Sequence, residues 1–123
     1  MKFFSTLFVS AILFAAGCSK SNQDLIVGTW TTTKATYTVP TQSPQDIPNG
    51  VGRKFTFNAC SSTCSGTTDF PGADSVFTYS LSSDGKKYYS AGDTFNIIEL
   101  TSTKLTFTGT ADMGILVEIS ATK

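Results

Sequence analysis

From Leu25 onward the chain consists of short runs of threonine, valine, isoleucine and aromatic residues, separated by Gly, Pro, Asn, Asp and Ser. β-Branched and aromatic side chains pack well on a pleated surface and the separators supply turns, so the runs read as strands. Residues 25–39 (LIVGTWTTTKATYTV) form a first long strand. Residues 40–52 hold three of the four prolines and must be a loop, because proline offers no N–H to a ladder and restricts the residue before it. RKFTFNA (53–59) alternates, with Phe55 and Phe57 on one face, and a short strand follows at 65–70. In 75–82 Phe77, Tyr79 and Leu81 share a face, and Ser83-Asp84-Gly85 signals a tight hairpin, since Asp-Gly tolerates positive φ. KKYYS (86–90), TFNIIEL (94–100), KLTFTGT (104–110) and ILVEISAT (115–122) complete about eight strands. TFNIIEL does not alternate cleanly, which a bulge or burial on both faces would explain. No helix-period segment competes.

Strands joined by tight turns pair with their sequence neighbours, so the expected fold is all-β, an antiparallel up-and-down sheet. Closure into a β-barrel hides the apolar face and leaves no edge for another chain to join. A two-sheet β-sandwich is the alternative.

The pattern before Leu25 is different. Met1-Lys2 makes a short positive start, Phe3 to Phe14 is a 12-residue apolar run, and Ala15-Ala16-Gly17 are the small residues a signal peptidase accepts. The run is too short to span a bilayer as a helix, which takes about 20 residues. The sequence AAGC ending at Cys18 resembles the lipobox of bacterial lipoproteins. That resemblance implies a lipid attachment site at Cys18, with palmitate-type acyl chains holding the protein on its membrane. An ordinary secretory signal leaving a free thiol is the alternative. Residues 19–24 (SKSNQD) are polar and without apolar periodicity, a flexible tether. The expected domains are therefore a signal peptide (1–17), a lipidated cysteine and tether (18–24), and a barrel (25–123). Under the sorting rule of many Gram-negative bacteria, Ser19 argues for the outer membrane, and the lack of an acidic run for a periplasm-facing position in the cell envelope.

Charge and cysteines refine this picture. The nine Lys and Arg balance nine Asp and Glu, and removal of the signal peptide with Lys2 leaves a formal charge of −1. The basic residues are scattered, with Arg53-Lys54 and Lys86-Lys87 the only pairs, so no nucleic-acid partner is expected. Of the three cysteines, acylation of Cys18 leaves Cys60 and Cys64, whose spacing suits a disulfide at a hairpin tip. A metal or redox pair is the rival, but the chain has no histidine and two thiolates do not complete a four-ligand zinc site. No metal and no cofactor are expected.

Gly28-Thr29-Trp30 at the start of the first strand looks like the Gly-x-Trp signature of the lipocalin and calycin group. With the lipobox, the YSLSSDGK hairpin and FNIIELTSTKLTFTG, the mature chain resembles the small lipocalin-like lipoproteins of bacterial envelopes. The resemblance implies that Trp30 plugs the closed end of a barrel and that Gly28 permits close approach there. Where the family places an arginine near the last strand against the tryptophan, this chain has Lys123. TDF at 68–70 mimics a second lipocalin signature but comes too early in the strand order.

The same resemblance implies a small hydrophobic ligand inside the barrel, with Phe55, Phe57, Phe77, Tyr79, Leu105 and Phe107 as candidate contacts and the 40–52 loop as a lid. Leu81, Phe95, Ile97, Val117 and Ile119 are further interior candidates. The alternative is that these side chains fill a small barrel, leaving a structural role or a protein partner in the envelope. No catalytic residues are expected. Without histidine the usual general base is missing, and Asp69, Asp74, Asp84, Asp93, Glu99 and Glu118 read as turn formers or outward strand residues.

Overall fold

The computed structural model describes residues 21–90 and 92–123. The expected signal peptide and the Cys18 attachment site lie outside the described residues. A short helix, α1 (Asn22–Ile26), precedes ten strands: β1 (Gly28–Thr38), β2 (Gln45–Asp46), β3 (Lys54–Phe57), β4 (Ser65–Thr68), β5 (Val76–Thr78), β6 (Ser80–Leu81), β7 (Lys87–Ser90), β8 (Asp93–Leu100), β9 (Lys104–Thr110) and β10 (Leu116–Thr122).

Nine strands form one antiparallel path, β5-β4-β3-β1-β10-β9-β8-β7-β6, and β2 pairs with β1 beside it. The two ends of the path are one run of chain. β5 pairs with β4, β6 pairs with β7, and Tyr79 alone lies between them. Its N–H donates to Cys64 O at 2.9 Å, and Ser90 Oγ donates to Thr78 O at 2.8 Å across the seam. A single bent strand thus serves both edges, and the sheet is a nearly closed barrel rather than a sandwich. Counting β5 and β6 together, the alternating runs of the sequence correspond to its eight long staves.

Two bulges correct the alternation. In β1 Trp30 and Thr32 point inward, the register with β10 shifts between Thr32 and Lys34, and Ala35 then faces the core. Lys34 on the outer face pairs with Glu118 at 2.7 Å. In β8 the register with β9 shifts between Ile97 and Glu99, which leaves Ile98 65% exposed between the partly buried Ile97 and Leu100. The irregular TFNIIEL run is therefore a bulge.

The segment at Asn22–Ile26 departs from expectation, which had a tether to Asp24 and a strand from Leu25. Ser21 Oγ accepts from Asp24 N at 3.1 Å and caps the first turn, where the Asp24 carboxylate also suits the helix N-terminus. A helix this short does not persist alone. It is held by the barrel: Ile26 is buried, and its carbonyl accepts from Trp30 Nε1 at 2.8 Å.

Candidate functional site

In an up-and-down barrel, successive connections alternate between the two ends. The end that carries α1, the β3–β4 hairpin, the β6–β7 turn and the β8–β9 turn is closed. Trp30 is its plug, with 0% exposure. Lys123 Nζ lies 4.8 Å from the centre of the Trp30 ring and donates to Leu25 O at 3.0 Å. A Cβ at Gly28, whose φ is +129°, would fall 2.6 Å from Lys123 Cε, so glycine is what lets the lysine reach across. Lys123 thus lies over the tryptophan where the family pattern has arginine. Gln23 Nε2 donates to Tyr79 Oη at 2.9 Å, and that hydroxyl donates to Asn58 O at 2.7 Å, tying α1 to the seam and to the hairpin. Cys60 and Cys64 are joined by a disulfide across the hairpin tip. The Tyr79 hydroxyl lies 3.9 Å from Cys60 Sγ. Burial raises the Tyr79 phenol above its ordinary value, opposed by the hydrogen bond from Gln23.

Aromatic rings climb from this floor. Phe57 meets Tyr79, Phe77 and Tyr88 edge-on, with centroids 5.1, 5.5 and 5.9 Å away. Tyr88 stacks on Phe95 at 4.9 Å, and both meet Phe107, which meets Phe55 at 6.0 Å. Two glycines make room for rings. A Cβ at Gly109 would sit 2.6 Å from Phe95 Cδ1, and one at Gly66 would sit 2.5 Å from Phe77 Cζ.

Above these rings the barrel is not filled. A cavity of about 360 Å³ opens at the end opposite α1, with Phe55, Phe77, Tyr88, Phe95, Phe107 and Ile119 on its walls. Its rim is the β4–β5 loop with Phe70 and Asp74, together with Ser90 and Asp93 at the β7–β8 connection. The loop is anchored by the TDF residues. Asp69 Oδ1 accepts from Lys54 N at 2.7 Å, Thr68 Oγ1 donates to Lys54 O at 2.7 Å, and Phe70 turns inward to lie 5.5 Å from Phe55. The bond from Lys54 N, assisted by Arg53, holds the Asp69 carboxyl below the usual carboxylate range. Burial raises the Tyr88 phenol, and a hydrogen bond with Ser90 opposes that rise.

Of the six residues expected to contact a ligand, Phe55, Phe77 and Phe107 line this cavity. Phe57, Tyr79 and Leu105 do not; they are buried in the floor, and in β3 Phe57 pairs with Gly28, two residues nearer α1 than Trp30, with which Phe55 pairs. The expected lid is also elsewhere. β2 of the 40–52 loop pairs with Thr36 and Tyr37, Ile47 N donates to Ala35 O at 2.9 Å, and the loop lies along the edge of β1 without lining the cavity. Sequence reading missed Phe70, Tyr88, Ser90 and the two rim aspartates. The DFPGAD turn next to an inward aromatic was the only signal for the rim.

The model of the lipocalin-like domain matches residues 26–107, about two thirds of the chain. The chain belongs to this lipocalin-like family. The match begins in α1 and ends within β9, so the closing strand β10 lies beyond it. No curated protein and no solved structure matches the chain. Barrel and family together fit a hydrophobic ligand-binding role. Among the described residues no group of three or more Cys, Asp or Glu could hold a metal ion, and no helix is long and apolar enough to cross a membrane.

Proposed function

We propose that this lipocalin-like protein binds a small apolar ligand in the open end of its barrel while anchored to a bilayer through Cys18. The observation that carries the first half is the aromatic cavity. Its volume of about 360 Å³ falls at the small end of the range for ligand pockets, roughly 300–1,000 Å³, and its walls are apolar with a few polar groups at the mouth. Such a cavity supports capture of a ligand over the alternative of a filled barrel working only through its outer surface. The family match supports the reading of a binding protein.

The anchor rests on the AAGC motif after the apolar run. Its geometry adds to the proposal. Only two residues separate Cys18 from Ser21, the cap of α1, a reach of at most about 10 Å. α1 is at the closed end, so an acylated Cys18 would hold that end against the lipid and turn the mouth away from it. On the Ser19 sorting argument the membrane is the outer one, and the mouth faces the periplasm.

Two measurements test this. The neutral apolar probe N-phenyl-1-naphthylamine is expected to brighten on binding the purified chain, and Phe107→Trp, which puts a larger ring into the cavity, is expected to weaken it at least about fivefold, or ~1 kcal/mol. A probe that does not bind, or that is indifferent to this change, would refute the cavity as the site. Labelling with a palmitate analogue should be lost in Cys18→Ala; equal labelling would remove the anchor.

A further inference from the structure

The charge around the cavity is one-sided. Asp74 and Asp93 stand at its rim from two different connections, and among the described residues no lysine or arginine lines it. Of the two cations at the base of the rim loop, Arg53 is engaged by Asp69 at 3.7 Å and by the Asn49 carbonyl, to which its Nε donates at 2.9 Å, and Lys54 is exposed on the face of β3 opposite the inward Phe55. Among the described residues no ion pair within 4 Å engages Asp74 or Asp93, and both residues are exposed at the mouth. Below them the wall is a set of ring faces and edges from Phe55, Phe70, Tyr88, Phe95 and Phe107.

We infer that the ligand is an organic cation: an apolar or aromatic body that enters the barrel, carrying an ammonium group that stays at the mouth between Asp74 and Asp93. This rests on the cavity-binding reading and sharpens it. An ammonium is attracted both by the two carboxylates and by the negative faces of the rings, an arrangement that favours quaternary and alkylated amines. A carboxylate ligand such as a fatty acid would instead bring a third negative charge to a rim that has no lysine or arginine among the described residues lining it. The hydroxyls of Ser90 and Tyr88, which lie along the same wall, add acceptors for an amine that carries N–H groups.

Three probes of similar size separate the possibilities: benzyltrimethylammonium, phenylacetate and neutral benzyl alcohol, each titrated calorimetrically into the purified full chain against a protein-free blank at low salt. Benzyltrimethylammonium should bind about tenfold or more tighter than phenylacetate. In Asp74→Asn/Asp93→Asn that preference should shrink to within about threefold, while benzyl alcohol binding stays as it was. Both side chains are exposed at the rim, so the variant is expected to fold; retained benzyl alcohol and naphthylamine binding report that it has. Equal or tighter binding of phenylacetate, or a cation preference that survives the double substitution, would overturn the inference while leaving the cavity-binding reading in place. If neither benzyl alcohol nor N-phenyl-1-naphthylamine binds, both fall together.

Discussion

Replacing Trp30 by phenylalanine tests how the closed end is held. The indole is fully buried, and its Nε1–H donates to Ile26 O at 2.8 Å. A phenyl ring leaves that carbonyl without its donor, at about 1–3 kcal/mol for a buried group losing its partner. The missing fused ring leaves a void that a close-packed interior fills only in part, roughly 1–2 kcal/mol more. Contact with the Lys123 ammonium 4.8 Å from the ring weakens as well, by about 0.5 kcal/mol. Allowing for relaxation of α1, Trp30→Phe should cost about 2–4 kcal/mol, a large part of the 5–15 kcal/mol typical of a domain. Urea unfolding followed by far-ultraviolet circular dichroism, with the disulfide intact, should show a midpoint lower by about 1 M or more at an unchanged slope. Lys123→Met keeps the indole and should cost only about 0.5–1.5 kcal/mol, and the double variant should fall short of the sum because the two groups share one contact. A loss below about 0.5 kcal/mol for Trp30→Phe would show that the plug and its bond to α1 do not hold the closed end.

The disulfide closes a loop with a sequence separation of 4 between Cys60 and Cys64, so its reduction should lower stability by about 2 kcal/mol, read as a shift in the urea midpoint with and without reductant. The Thr32 hydroxyl is buried with no hydrogen-bond partner among the described residues, and Thr32→Val, which keeps the shape, should raise stability by about 1 kcal/mol; a loss of that size would mean the hydroxyl is satisfied. The Tyr79 and Tyr88 phenols are both raised from 10.0 by burial, so the neutral forms stabilise the fold. Their contribution is fully present below pH 10 and is lost as the pH climbs through the raised values. Phenolate absorbance should therefore show a late-titrating class of tyrosines that Tyr88→Phe reduces, with alkaline unfolding setting in as that class ionises.

Much of the barrel could be read locally. Alternation in RKFTFNA, SVFTYSLS and KLTFTGT placed Phe55, Phe57, Phe77, Tyr79, Leu105 and Phe107 indoors, since a strand with one apolar face has only one way to bury it. The bulges after Thr32 and Ile97 were not readable, because an extra residue is tolerated or not according to the strand beside it. Nor was α1. Its capping residue Ser21 is visible in the sequence, but a five-residue helix survives only through Trp30, Gln23 and Lys123 contacts that span up to 98 residues.

Local sequence was enough to turn these side chains inward, to put Cys60 and Cys64 close enough to bridge, and to join the strands by short connections, because period, spacing and turn chemistry are properties of neighbouring residues. How high each inward side chain stands in the barrel came only with the closed sheet. Strand tilt and register lift Phe55, Phe77 and Phe107 to the cavity and sink Phe57, Tyr79 and Leu105 into the floor. They also bring Phe70, Asp74 and Asp93 from separate connections to one rim. A site made by closing a sheet on itself belongs to the closure, and no single run of residues contains it.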